Sequence, residues 1–267
     1  MTPATVAREI WRRDPLLAAG GWLMLAGLVL AAVAATVDTR LILGINPWIK
    51  PMKFLASIAI FLWTMAWFMT EADPRLTRRL GAIRWTMLGT MVGEIALISM
   101  QAARGTTSHF NVATTFDDAV FQAMGMMIVA NTVAAAAFVT TLRPITPDRA
   151  GYLWGIRLGL MVFVLGSLQG FLMVARLGHS VPGPDGGPGL PFVNWSTTSG
   201  DLRVAHFIGL HALQVLPLKG FALDRLRSTW LPGSRRSAVT VTALVWTAAV
   251  AGALALALAG RPLLAAR

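Results

Sequence analysis

Seven apolar stretches separated by short polar ones limit what this chain can fold into. They cover about residues 16–37, 54–70, 85–103, 119–142, 152–174, 204–223 and 238–260. A helix needs about 20 apolar residues to cross the hydrocarbon layer, and backbone at that depth must satisfy its own hydrogen bonds. Each stretch therefore reads as a membrane-spanning helix. The charge content agrees: 13% of the residues are charged, about half of the roughly 25% found in soluble domains. The expected fold is all-α, an integral membrane bundle of seven transmembrane helices forming a single domain over residues 1–267.

The few charges are unevenly placed. Lys and Arg number 23 against 12 Asp and Glu, a net charge of +11. In a soluble chain that balance would suggest nucleic acid. Here the basic residues lie in short loops, where membrane topology and anionic lipid account for them, so no nucleic-acid partner is expected. With the N-terminus inside, 13 basic residues, among them Arg8, Arg12, Arg13, Arg75, Arg78, Arg79 and Arg227, fall on the cytoplasmic side. Eight, among them Arg40, Lys50, Lys53, Arg104 and Arg267, fall on the other. The N-terminus is accordingly expected in the cytoplasm and the C-terminus outside it. Residues 1–14 read as a short interfacial helix. The first span exceeds the apolar core of a signal peptide and reads as retained. Pro47 and Pro51 disfavour helix in the residues before them, so residues 39–54 read as an interface-lying or re-entrant approach to the second span. The longest loop, 176–202, is rich in Gly and Pro and reads as irregular.

This topology collects polar side chains on one side. All four histidines, His109, His179, His206 and His211, fall on the outer half, while the inner loops are nearly all arginine. Polar groups at membrane depth are expensive and mark function by default. An outward-facing pocket is therefore expected around the sixth span, which carries Arg203, His206, His211 and Gln214. His206 and His211 differ by about 140° around a helix and about 7.5 Å along it, so one metal is not easily shared between them. His109, His211, Asp117 and Asp118 are the candidates for proton transfer. Lys50, Lys53, Gln101, Arg104, Asn111, Arg203 and Gln214 are the candidates for holding an anionic group. His109, His206 and His211 are the candidate metal ligands. Glu94, the acid deepest within a span, reads either as a proton-relay group or as a protonated partner of Asn131. Pro217 is expected to kink the sixth helix and free the Leu213 carbonyl. The chain has no cysteine, which excludes disulfides, thiolate metal sites and covalent c-type haem attachment.

The segments N-P-W-I-K-P-M-K-F (residues 46–54) and Q-A-A-R-G-T-T-S-H-F-N (residues 101–111) resemble those of an uncharacterised group of multi-pass bacterial membrane proteins. The resemblance covers chiefly the second to fourth spans. It implies bacterial origin and an inner-membrane location, and it carries no activity. The residues themselves favour a membrane-embedded binder or enzyme whose extracytoplasmic pocket takes a small anionic or lipid-like ligand, a His-ligated divalent metal being one form. A b-type haem held by two histidines is an alternative, as is a transporter or sensor subunit. The small residues of the seventh span suit close helix packing and oligomerisation, whereas no inverted repeat supports transport.

Overall fold

The computed structural model describes residues 2–226, 229 and 231–265; Arg227 and Arg267, counted in the charge balance, lie outside them. The described chain is all-helical apart from one pair of two-residue strands. Its order is α1 (Pro3–Arg13), α2 (Pro15–Val37), α3 (Ile49–Phe68), α4 (Thr77–Arg104), α5 (Thr115–Val139), α6 (Ala150–Gln169), α7 (Phe171–Arg176), β1 (Ser180–Val181), β2 (Gly200–Asp201), α8 (Leu202–Leu226) and α9 (Pro232–Leu258). Among the described residues six helical segments are long and apolar enough to cross a membrane: α2, α3, α4, α5, α6 with α7, and α9. The sixth expected span, α8, has the length but more polar residues. The chain divides into two compact units, Met1–Thr141 and Leu142–Arg267.

In the first unit the helices alternate in direction and pack in sequence, α2 on α3, α3 on α4 and α4 on α5. Large apolar side chains fill the seams: Leu17, Met24, Leu62, Met65, Met87, Ile98, Met124 and Phe138 are almost completely buried. One end is tied by ions. Buried Asp14 accepts from the Leu17 amide, starting α2, and pairs with Arg84 of α4 at 2.8 Å. Arg13 donates to the Trp67 carbonyl and to Thr70. At the other end Asn46 bonds the Ala35 and Asp38 carbonyls, and its side-chain oxygen accepts from the Trp48 amide. That knot starts α3 at Ile49, five residues before the apolar run begins. Pro51 is accommodated because it falls in the first turn, where its missing N–H would have had no helical partner.

The second unit is built on a seam of glycine. Gly151, Gly155 and Gly159 recur every fourth residue of α6 and so share one face. A side chain at Gly155 would meet the Leu216 carbonyl of α8, one at Gly159 the Ala212 carbonyl, and one at Gly151 the Gly220 carbonyl. Further along, Gly166 meets Gly209. The two antiparallel backbones thus touch directly, the close packing that small residues permit in membranes. α8 runs unbroken across Pro217. Asp224 of α8 accepts from the Gly151 and Tyr152 amides at the start of α6 and pairs with buried Arg235 of α9 at 2.9 Å. Trp246 of α9 donates to the Ile208 carbonyl of α8.

Candidate functional site

The polar residues of the first unit meet at the end that carries the 38–48 and 105–114 loops. Gly105 ends α4 in the left-handed conformation, and Phe110 adopts φ +59°. These turns fold the loop inward, burying Ser108 and Asn111 and setting Phe110 against Phe121 of α5, with ring centroids 5.6 Å apart. Asn111 is used within the loop: its amide donates to Thr106 and the Thr107 carbonyl, and its oxygen accepts from the Ala113 amide.

The folded loop delivers His109 to Glu94. Glu94 lies on α4 with 1% of its surface exposed, and neither carboxylate oxygen makes a hydrogen bond. A buried polar group without a partner is costly, and a buried charge more so. His109 Nε2 stands 3.5 Å from Glu94 Oε1. On the other side of the ring, Nδ1 lies 3.2 Å from Lys50 Nζ and 3.2 Å from Ser108 Oγ. A lysine ammonium can only donate, so Nδ1 accepts and the neutral ring carries its proton on Nε2, towards Glu94. Phe54 and Phe110 flank the imidazole with centroids 5.6 and 6.0 Å away. The His109 side chain keeps 23% exposure, so the three groups form a line from the surface to a buried acid. Lys53 follows Lys50 one turn later and is half-buried.

A second polar group in this unit is closed on itself. Thr114 caps α5: its hydroxyl accepts from the Asp117 amide and donates to the Asp117 carboxylate at 2.8 Å. Gln101, fully buried on α4, donates to the same carboxylate at 2.9 Å, and Arg104 pairs with it while lying over the Phe116 ring. Asp118, next along, accepts a long 3.4 Å bond from Gln122. Asp38 is bound by Arg40 and by the Trp48 indole, and the Arg40 guanidinium holds its carboxyl well below the usual range.

The α8 candidates belong to the second unit. Arg203 is used by Asp201, through Nε at 3.0 Å and Nη2 at 2.6 Å, and by the Asn194 carbonyl. Asp201 also accepts from the Ser196 amide. Burial pushes its carboxyl up, but the bonds from Arg203 outweigh this and hold it below the usual range. His179 lies between two carboxylates, 3.3 Å from Asp185 and 3.6 Å from Asp201. Asp185 in turn accepts from the His179 and Ser180 amides. His206 donates from Nδ1 to the Gly166 carbonyl at 2.8 Å. The break between α6 and α7 leaves that carbonyl open, since the Gly170 amide turns to Ser167 instead. His211 donates from Nδ1 to the Phe207 carbonyl one turn back and stacks on the Phe207 ring at 4.0 Å. Gln214 is half-buried on the next turn.

His206 and His211 therefore bond different carbonyls and converge on nothing common. Among the described residues no three His, Asp or Glu are grouped to hold a metal ion. Glu94 and Asn131 do not bond each other: the Asn131 side-chain oxygen, also buried, is likewise without a partner. Sequence reasoning picked out Glu94, His109 and Lys50 separately but missed that they form one line. It also missed the glycine seam, whose four-residue spacing was there to be read. No family model, no curated protein and no solved structure matches the chain.

Proposed function

We propose that this chain is a bacterial inner-membrane protein whose functional centre moves a proton between the extracytoplasmic side and Glu94. The observation that carries the reading is a buried carboxylate without a hydrogen bond, reached by a histidine whose other nitrogen meets a lysine. Transfer is balanced by the ring. Lys50 gives a proton to Nδ1 and Nε2 gives one to Glu94, which leaves the ring with its proton on Nδ1; the reverse passage, from Glu94 to Nε2 and from Nδ1 to the lysine, restores the starting tautomer. Such a centre serves a small anionic or lipid-like ligand, drawn in by the charges of Lys50 and Lys53 beside the two phenyl rings. α8 counts as a seventh span. At about 1.5 Å per residue its 25 residues exceed the hydrocarbon thickness, and its buried acid is paired with Arg235. Alternation from a cytoplasmic N-terminus then puts the Lys50 end outside, in accord with the arginine-rich opposite loops.

The test is infrared spectroscopy of the full chain in liposomes after an acid jump. A protonated-carboxyl band is expected to appear in the wild type and to be missing in Glu94→Gln. It should rise at least tenfold more slowly in His109→Phe, which keeps an aromatic ring in the same place. A band that survives Glu94→Gln, or rises at the wild-type rate without His109, would overturn the assignment.

A further inference from the structure

A second site lies at the end of the second unit where α9 begins. A groove of about 270 Å³ is lined by Trp154 of α6 and by Gly233, Arg236, Ser237 and Thr240 of α9. It adjoins a hollow of about 140 Å³ that shares Gly233 and Arg236 and is walled by Ile145 and Pro147. The groove has a fixed aromatic wall, because the Trp154 indole donates to Thr240 Oγ1 at 2.8 Å and the Arg236 guanidinium lies over the ring at 5.0 Å.

Its charge is not neutralised. Arg236 is exposed and forms no ion pair among the described residues, and Arg157 is close enough for the two charges to repel. Among the described residues Arg157 donates to the Leu153 and Arg143 carbonyls and forms no ion pair. The contrast is with the neighbouring Arg235, which is buried against Asp224. Two like charges without an acid, beside a tryptophan and an apolar hollow, fit an anion that has an apolar body. Arginine matches phosphate oxygens in its fork geometry, and tryptophan sits well at the membrane–water interface.

We propose that this groove binds the phosphodiester of an anionic glycerophospholipid. Arg236 takes the phosphate, with the charge of Arg157 behind it, and the Ser237 hydroxyl is placed for a headgroup oxygen. The Trp154 face and the adjoining hollow receive the glycerol and the first part of the acyl chains. The site is independent of Glu94 and lies in the other compact unit.

The test uses the purified full chain in a neutral detergent, with thermal unfolding followed as lipid is added. Dihexanoyl phosphatidylglycerol is expected to raise Tm in a concentration-dependent way, as a ligand of the folded state must. Dihexanoyl phosphatidylcholine and inorganic phosphate should give much less. Arg236→Gln should lose more than half of the increment while unfolding at the wild-type temperature without lipid. Arg176→Ala, a change at the end of α7, should keep the increment whole. A full increment in Arg236→Gln, or an equal one from phosphatidylcholine, would overturn the site. An equal one from inorganic phosphate would overturn the lipid assignment.

Discussion

The Glu94 cluster of the first unit and the Asp201 cluster of the second use the same residue types to opposite ends. Around Asp201 each oxygen is satisfied: Arg203 bonds both, and the Ser196 and Arg203 amides complete the set. Around Glu94 no oxygen is bonded, although a histidine stands 3.5 Å away. A satisfied carboxylate lowers the energy of one arrangement and so holds a loop in place. An unsatisfied one holds no loop in place, and its burial without a bond penalises the charged form; in the proposed function it is the group that trades protons. Buried acid content alone would not separate the two clusters; their hydrogen bonds do.

The largest effect should come from breaking the satisfied cluster. Asp201→Ala removes a charged acceptor from a buried arginine-and-amide network, and bonds to charged groups are each worth about 1.5–3 kcal/mol. A loss of about 3 kcal/mol in the stability of the second unit is expected, read by denaturant titration in micelles. Glu94→Gln should do the reverse. Replacing an unbonded acid with a neutral amide removes a desolvation cost, so stability should be unchanged or higher by about 1 kcal/mol. A loss as large as that of Asp201→Ala would make Glu94 a structural anchor and end the contrast.

The smallest effect is a pH dependence. Asp201 and Asp38 are both held below the usual carboxylate range by arginine. A carboxyl lowered in the folded state contributes in full above its unfolded value, about 3.9, and that contribution is lost as pH falls through the folded value. Hydrogen exchange in loops 38–48 and 177–199 should thus be flat from neutral pH down to about 4 and should quicken only below it. Quickening of the 177–199 loop near neutral pH instead would overturn the control of that loop by Asp201.

Much of the fold is legible in the chain because burial in lipid writes itself as length. The apolar runs mark α2 to α6 and α9, although α3, α4 and α9 begin five to eight residues before the runs do. Boundaries set by hydrogen bonding were harder to read. α3 begins early because Asn46 and Trp48 knot the preceding turn, and α4 starts at Thr77, with Arg78, Arg79 and Arg84 inside the helix rather than before it. The site was legible as a list and not as a geometry. Fifteen residues separate Glu94 from His109, and only the inward fold through Gly105 and Phe110 brings them together. Asp117 reads as an acid at depth, yet the T-x-x-D spacing from Thr114 marks the pair as a helix start. Arg203 similarly stood two residues from the acid that takes it up.

The glycine seam between α6 and α8 bears on how the protein is made. α8 carries Arg203, His206, His211, Gln214, Lys219 and Asp224 along 25 residues, and a helix so polar partitions poorly into lipid by itself. What it gains on docking is a bare α6 backbone within reach of its own. In the proposed seven-span arrangement α6 is made first, and it would be the template on which α8 enters the bilayer. Gly155→Leu, which puts a side chain where the Leu216 carbonyl lies, should therefore leave α8 stranded outside the membrane. A glycosylation or cysteine-labelling reporter in the following loop would then appear on the wrong side.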